Sequence, residues 1–402
     1  MIKNPFAILM FIQFCVLPGA FAFQVEVASA PESNLSLLLK GIREARRSLL
    51  VNIYEMKSPE IAEALMAKVR EGVSVKILEE GQPVGGLSTE ARTLNQKIVK
   101  VMRSEGTDCA FFEMTSDAGA ERRFRFDHAK YIVIDGKSLL IGSENYSSSG
   151  HPSEGKIGNR GWESLVREPA LARRFTKIFE SDSATQHGDV VERVSADRPE
   201  SASEALALDL GVKEEILASE RSAGRPQTYE ASEVRDVMSP ESSLSGLVDL
   251  MAKAKESIDI ELMTFSPLWG NTRERSPLLK TVLAAASRGV KVRVLLNDES
   301  VFAQVQNLDM EGASLFSGLE SVMGISARRY KNPETVDILN QLAEGKQLRA
   351  KGLIADTKAM QVTYIHNKGV LVDGNKTLIS SINWNQNSVE NNREAAEIGR
   401  AS

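Results

Sequence analysis

Cysteine is nearly absent: Cys15 and Cys109 are the only two in 402 residues. Histidine is scarce too, with four copies, so any chemistry that needs imidazole falls to His128, His151, His187 or His366. An excess of one charge is also missing. Lys and Arg total 49 against 54 Asp and Glu, a formal net charge of -5, which disfavours bulk polyanion binding while leaving room for a local basic groove. No long apolar run follows the first residues, which excludes a bundle of membrane helices. What is there is ordinary globular material, 42% apolar and 26% charged. It is enough for a sizeable core and more than one domain of usual size.

The N-terminus reads as a targeting segment. Lys3 precedes an apolar run from Phe6 to Leu17, Pro18 and Gly19 break it, and Ala20-Phe21-Ala22 offers the small-x-small pattern of a signal peptidase site. A signal peptide over residues 1–22 would leave Phe23 as the mature start and send the protein to the periplasm or the medium. An uncleaved anchor is the alternative, although the run is short for a span of roughly 20 residues. Once Cys15 leaves with the signal, Cys109 has no partner and reads as a small core residue.

The remainder is written twice. Pro31-Glu32-Ser33-Asn34-Leu35-Ser36 matches Pro240-Glu241-Ser242-Ser243-Leu244-Ser245, each opening a helix that runs toward Ala45 or Ala254. Strands follow at Ser48 to Tyr54 and Ser257 to Met263. A second helix and strand come next in each half: Ala62 to Arg70, then Val73 to Leu78, and Leu278 to Ser287, then Val290 to Leu295. This alternation predicts an α/β half-domain repeated, over 23–180 and 235–402. Residues 181–234, rich in Ser, Asp, Glu, Ala and Arg, read as a connector with a helix near Glu204 to Ser219. An extra stretch from Phe302 to Val362, containing Ala327-Arg328-Arg329-Tyr330-Lys331, precedes the end of the second half and is placed to shape substrate access.

Each half ends in a matching hairpin. The first carries His128-Ala-Lys130, Asp135-Gly136 and Ser143-Glu-Asn145; the second carries His366-Asn-Lys368, Asp373-Gly374 and Ser381-Ile-Asn383. Strand alternation puts His128 with Lys130, and His366 with Lys368, on one face. With Gly136-Lys137 and Gly374-Asn375 as two-residue turns, Lys130 would face Ser143 and His128 would face Asn145, and the second hairpin would repeat that register. Imidazole, ammonium, hydroxyl and amide would then cluster at one end of each hairpin, as a phosphate-recognising surface requires. A phosphodiester displacement through a covalent intermediate needs a nucleophile and an acid. Two facing copies supply both: one neutral imidazole attacks phosphorus and the other, protonated, donates to the leaving oxygen. Lysines and asparagines hold the non-bridging oxygens, so no metal or other cofactor is expected.

These residues resemble the HKD signature of the phospholipase D superfamily, and the likeness runs from about Pro31 to the C-terminus. The resemblance implies two similar α/β/α halves related by pseudo-twofold symmetry, with one active site at their interface. It implies His128 as nucleophile and His366 as general acid and base. It also implies Lys130, Lys368, Asn145 and Asn383 as phosphate ligands, with Ser143 and Ser381 nearby. Asp135 and Asp373 complete the motif and in this family mostly brace the hairpin. The family's trailing segment, whose acidic residue backs the histidine, is matched by Asn159-Arg160-Gly-Trp162-Glu163 and by Asn391-Asn392-Arg393-Glu394. Glu163 and Glu394 are therefore the expected histidine-orienting carboxylates, with Glu397 a competitor. Ser380 stands where the family pattern has Gly.

His151 and His187 read as surface residues. Arg122, Arg123 and Arg125 could grip a phosphate or simply face solvent, and Trp269 and Trp384 could meet a ligand or pack the core. Two motifs in one chain suit a monomer acting on phospholipid at a membrane surface. A secreted nuclease of the same superfamily, hydrolysing DNA or RNA, would use the same chemistry, whereas a pure binding module would not need both histidine and lysine pairs intact.

Overall fold

The computed structural model describes residues 22–116, 119–194, 224–270, 274–298, 335–340 and 349–402. The expected signal peptide, the helix near 204–219 and the basic stretch 327–331 lie outside them.

The repeat is visible in how helices start and stop. Helices α1 (Asn34–Glu44), α2 (Pro59–Arg70), α3 (Thr89–Glu105) and α4 (Pro169–Asp182) belong to the first half, and α5 (Ser243–Ala252) and α6 (Pro277–Ser287) to the second. Both α2 and α6 begin Ser-Pro: the Ser58 hydroxyl accepts from the Ile61 N–H at 3.3 Å, and that of Ser276 from Leu279 at 3.1 Å. Proline in the first turn gives up an N–H that had no helical partner anyway. Each helix stops at a glycine with positive φ, Gly72 at 80° and Gly289 at 92°. That conformation lets Val73 donate back to Lys68 and Val290 to Ala285, closing the helix end before the next strand.

Among the described residues one sheet of 15 strands runs through both halves. In chain order its strands are β1 (Phe23–Ala30), β2 (Ser48–Ile53), β3 (Ser74–Glu80), β4 (Ala110–Met114), β5 (Tyr131–Ile134), β6 (Ser138–Gly142), β7 (Gly161–Val166) and β8 (Val190–Glu192). The second half supplies β9 (Gln227–Ser239), β10 (Ser257–Leu262), β11 (Lys291–Leu296), β12 (Ala350–Ile354), β13 (Lys368–Val372), β14 (Lys376–Ser380) and β15 (Glu394–Ala401). At the centre β1 and β9 pair antiparallel, from Phe23 opposite Ala231 to Val27 opposite Gln227. Outward from that seam the orders are β1, β7, β6, β5, β2, β3, β4 and β9, β15, β14, β13, β10, β11, β12, with β8 added beyond β4. The two lists correspond strand for strand, which is the pseudo-twofold arrangement of α/β halves that the repeat implies.

The seam is well filled. Phe175 and Phe179 of α4 join Val25 of β1, Ala231 and Met238 of β9 and Ala395 of β15 in one buried cluster. Each phenylalanine contributes roughly 1.5–3 kcal/mol by leaving water. Beside it, Arg393 clasps Asp182 at the end of α4, with Nε 2.9 Å from Oδ2 and Nη2 3.0 Å from Oδ1, all buried. Removing Arg393 would strand the buried Asp182 charge, so the pair fixes how the halves meet.

Several expectations change. The stretch 181–234 is not a free connector at its ends: β8 joins the sheet edge and β9 forms the seam. Trp384 is fully buried and Trp269 nearly so, both in the second half's core. Cys109 is half-buried rather than interior. Arg122 is paired with Glu80 and Arg123 with Asp189, while Arg125 donates to Asn387 at 3.2 Å. No helix among the described residues is long and apolar enough to cross a membrane.

Candidate active site

The motif aspartates act at the far end of each hairpin from the histidines. Asp135 and Asp373 sit at φ of 53° and 51°, each followed by a glycine in the same left-handed region. Asp135 accepts from the backbone N–H groups of Arg46, Arg47 and Ser48, and Asp373 from those of Lys255, Glu256 and Ser257. Burial opposes their charge, yet these donors hold both carboxyls below the usual range. They are braces tying hairpin to helix–strand loop, not reacting groups. Because the aspartate itself takes left-handed backbone, the turn spans 135–137, with Ile134 opposite Ser138. The expected register is therefore off by one. Lys130 faces Gly142 instead of Ser143, and the same shift in the second hairpin follows from Val372 opposite Lys376.

The halves interlock at the strand entries. His128 N–H donates to the Arg393 carbonyl and Arg393 N–H to Phe126; in the other copy His366 donates to Arg160 and Arg160 to Tyr364, all four bonds at 2.8 Å. Each motif histidine is thus held by the opposite half, His128 by the residue that leads into β15 and His366 by the residue that leads into β7. His128 Nδ1 lies 2.8 Å from Glu394 Oε2, and His366 Nδ1 lies 3.2 Å from Glu144 Oε2, within ion-pair distance but off the hydrogen-bond line. A tyrosine ring stands edge-on to each imidazole, Tyr54 at 4.8 Å from His128 and Tyr364 at 5.7 Å from His366.

Both lysines fold back so that Nζ donates to the carbonyl of the histidine two residues before, Lys130 to His128 at 2.6 Å and Lys368 to His366. Four basic groups and two carboxylates now share one buried space. Burial, reinforced by the two lysines and opposed by Glu394, pushes His128 down to about 4. Burial and Lys368 likewise lower His366, against the pull of Glu144. Lys130 falls to about 7, through burial and the charge of Lys368, and Lys368 to about 8 through burial. Burial would raise Glu394 and Glu144, but His128 and Lys130 hold the first below its usual range, as His366 and Lys368 do the second. With Glu394 anionic, His128 presents Nδ1–H to it, which leaves the Nε2 lone pair free for attack.

Other expected site residues fare differently. Asn145 and Asn383 are half-buried beyond the strand ends; the Asn145 side-chain oxygen lacks a partner, and that of Asn383 accepts from Thr264 at 3.4 Å. Ser143 and Ser381 are buried and already engaged. Ser381 donates to Glu394 at 2.6 Å and accepts from Ala395, while Ser143 reaches Glu144 at 3.3 Å and accepts from Trp162. Both hydroxyls donate to the carboxylates behind the histidines. Glu163 does not back a motif histidine: its Oε2 is 3.1 Å from His151 Nε2. His151, expected at the surface, is buried in that pair, whereas His187 is exposed. Glu397 is buried and pushed up to about 7 by desolvation, with Ser164 as its donor. Ser380 is buried and accepts from Ile382. Glu144 escaped the sequence reading, although its place inside Ser143-Glu144-Asn145 was the available signal.

The family model described as "Cardiolipin synthase, PLD-like domain" matches residues 38–183 and 247–399. The chain therefore belongs to the phospholipase D-like superfamily, whose enzymes act on phosphodiester bonds. Among curated proteins it is 24% identical over 149 residues, 37% of its length, to the mitochondrial cardiolipin hydrolases of Mus musculus and Canis lupus familiaris. It spans 58% and 50% of the length of those relatives. Among solved structures, phosphatidylserine synthase of Haemophilus influenzae Rd KW20 superimposes with a TM-score of 0.60 at 16% identity, covering 93% of this chain and 82% of that one. This likeness concerns the fold.

Proposed function

We propose that the protein is an exported phosphodiesterase that cleaves the headgroup phosphodiester of a phospholipid, or passes the phosphatidyl group to an alcohol, through a phosphohistidine at His128. The observation that carries the chemistry is the convergence of two imidazole–carboxylate pairs and two lysines, drawn from both halves, in one buried space. The choice of lipid is supported by the names of the family model and of the curated relatives, which refer to cardiolipin. Export rests on the signal-like segment over residues 1–22.

In the first step His128 Nε2 forms a bond to phosphorus as the bond to the leaving alkoxide breaks, and protonated His366 gives that oxygen its proton. The imidazolium formed at His128 is stabilised by Glu394, and Lys130 and Lys368 neutralise charge growing on the non-bridging oxygens. In the second step His366, now neutral, takes a proton from water or an acceptor alcohol whose oxygen displaces His128 from phosphorus. An arriving phosphodiester anion raises the proton affinity of both lysines and of His366, so substrate binding itself loads the acid.

The test is product release by the purified mature protein, in chelator, from phosphatidylcholine or cardiolipin vesicles and, separately, from single-stranded DNA, each beside a His128→Ala control. Headgroup release that is lost in the variant supports the proposal. DNA cleavage without lipid turnover overturns the substrate. Activity that disappears in chelator and returns with a divalent metal overturns the mechanism.

A further inference from the structure

We infer that Glu144 is the positioning residue of His366, and that it stands in for the carboxylate that β7, with Gly161 where β15 has Glu394, does not supply. The inference rests on the phosphohistidine reading above and concerns how its acid–base histidine is oriented.

The hydrogen bonds of the two halves establish which residues correspond. Ser143 N–H donates to the Trp162 carbonyl and Ser381 N–H to Ala395, both at 3.0 Å, so Trp162 answers to Ala395. Arg160 and Arg393 correspond through their identical bridges to the opposite histidine segments. The residue between is Glu394 in the second half and Gly161 in the first. By strict repetition, then, His366 would lack the partner that His128 has.

Glu144 fills that vacancy in space. A Cβ built on Gly161 would lie 2.0 Å from Glu144 Oε1 and 2.5 Å from Ser143 Oγ, so the carboxylate occupies the very volume a side chain at 161 would take. Its surroundings repeat those of Glu394. Asn159 Nδ2 reaches Glu144 at 3.1 Å as Asn392 Nδ2 reaches Glu394 at 3.1 Å; Ser143 and Ser381 supply the hydroxyls; and each carboxylate meets the histidine of the opposite half. At the position corresponding to Glu144 the second half has Ile382, which is fully buried in its core. Two chain positions have exchanged their parts: glutamate and glycine in the first half, isoleucine and glutamate in the second.

The exchange predicts a reciprocal rescue. Glu144→Gln should slow turnover of a phosphodiester substrate by at least about 10-fold and at most about 10⁴-fold, the range spanned by partners that orient metal-bound and catalytic histidines. Gly161→Glu alone should also be defective, because two carboxylates would compete for one volume. Glu144→Ile combined with Gly161→Glu should recover most of the activity. On bis(4-nitrophenyl) phosphate, whose leaving group needs little acid, Glu144→Gln should still release a burst of nitrophenolate and then stall, since the second step depends on His366 as base.

Nuclear magnetic resonance titration of the four histidines tests the geometry without relying on turnover. The groups facing His366 are Glu144, Lys368 and Lys130, with the Tyr364 ring edge-on to it. Loss of the Glu144 charge should lower the midpoint of His366, leave His128 in place, and be reversed in the double variant. Glu394→Gln should do the converse. An unmoved His366 in Glu144→Gln overturns the inference even if no phosphodiester is turned over, and so does a double variant no better than either single one. A wild-type protein inert on every phosphodiester, with His366 responding as described, would overturn only the functional reading.

Discussion

His128 and His366 occupy the same place in matching hairpins, yet their surroundings differ. His128 makes a 2.8 Å bond to Glu394 and keeps 14% of its side chain exposed; His366 lies 3.2 Å from Glu144 with 5% exposed. A nucleophile has to be neutral and reachable, and His128 is both. An acid–base group has to hold a proton only while substrate is present, and His366, lowered in the empty site and ringed by groups that respond to an anion, suits that part. In the proposed mechanism the two copies of one motif would divide the labour through what the opposite half places behind each ring, not through the motif itself.

The largest expected effect breaks the pair outright. His128→Ala should reduce phosphodiester turnover by more than about 10⁴-fold, because no covalent intermediate can form. His366→Ala should approach that loss for an alkyl leaving group and fall well short of it for the first step on a nitrophenyl ester. Single-turnover kinetics on both esters would show whether the roles are divided in this sense; equal losses on both esters for His366→Ala would count against it.

Next come the lysines. Each of Lys130→Met and Lys368→Met should lower kcat by about 10²- to 10³-fold, the scale on which one donor to a developing charge acts. Lys130, held at about 7 partly by the charge of Lys368, should titrate higher in Lys368→Met. Lys368 is lowered chiefly by burial and should move less in the reciprocal variant. The pH dependence of kcat in the two variants measures this asymmetry.

The scaffold should behave more evenly than the site. Asp135→Ala and Asp373→Ala each remove three backbone-accepting contacts at a hairpin turn. Each should cost on the order of 1–3 kcal/mol in stability with kcat for the folded fraction little changed. Similar shifts in denaturation midpoint would mark these residues as matched braces. A selective loss of activity in either would return it to the reacting groups.

These contrasts also mark what the sequence could disclose. Helices α1, α2, α5 and α6, the strands that follow them and both hairpins are legible because each is written twice and its partners are near in the chain, whereas α3 and α4 lie outside the matched stretches; the Ser-Pro starts of α2 and α6 repeat even the cap. The seam strand β1 was missed because its alternation, Phe23-Gln-Val-Glu-Val, finds its partner in β9 some two hundred residues on. The register slipped because a left-handed aspartate lengthens the turn by one residue, which spacing alone does not reveal. The carboxylates were half right for a spatial reason. Glu394 was found but serves the other half's histidine, Glu163 was drawn off by His151, and Glu144 takes the place left by Gly161.

The smallest effect concerns the empty site's readiness for an anion. Lys130 and Lys368 have folded values of about 7 and 8, below the 10.5 usual for lysine. Both are therefore largely charged at pH 6.5 and largely neutral at pH 8.5. A phosphodiester anion binds best to the charged pair, so its affinity should fall as pH rises through that window, where an unperturbed lysine pair would give a flat profile. Dimethyl phosphate keeps one charge throughout, which removes the ligand's own titration from the reading. Its dissociation constant, followed through the ligand-induced rise in Tm, should weaken on the order of tenfold from pH 6.5 to 8.5. In Lys130→Met the weakening should shift toward higher pH, because the remaining lysine has the higher value. A flat profile in the wild-type protein would mean that the lysines keep their charge despite burial, and that substrate does not have to load them.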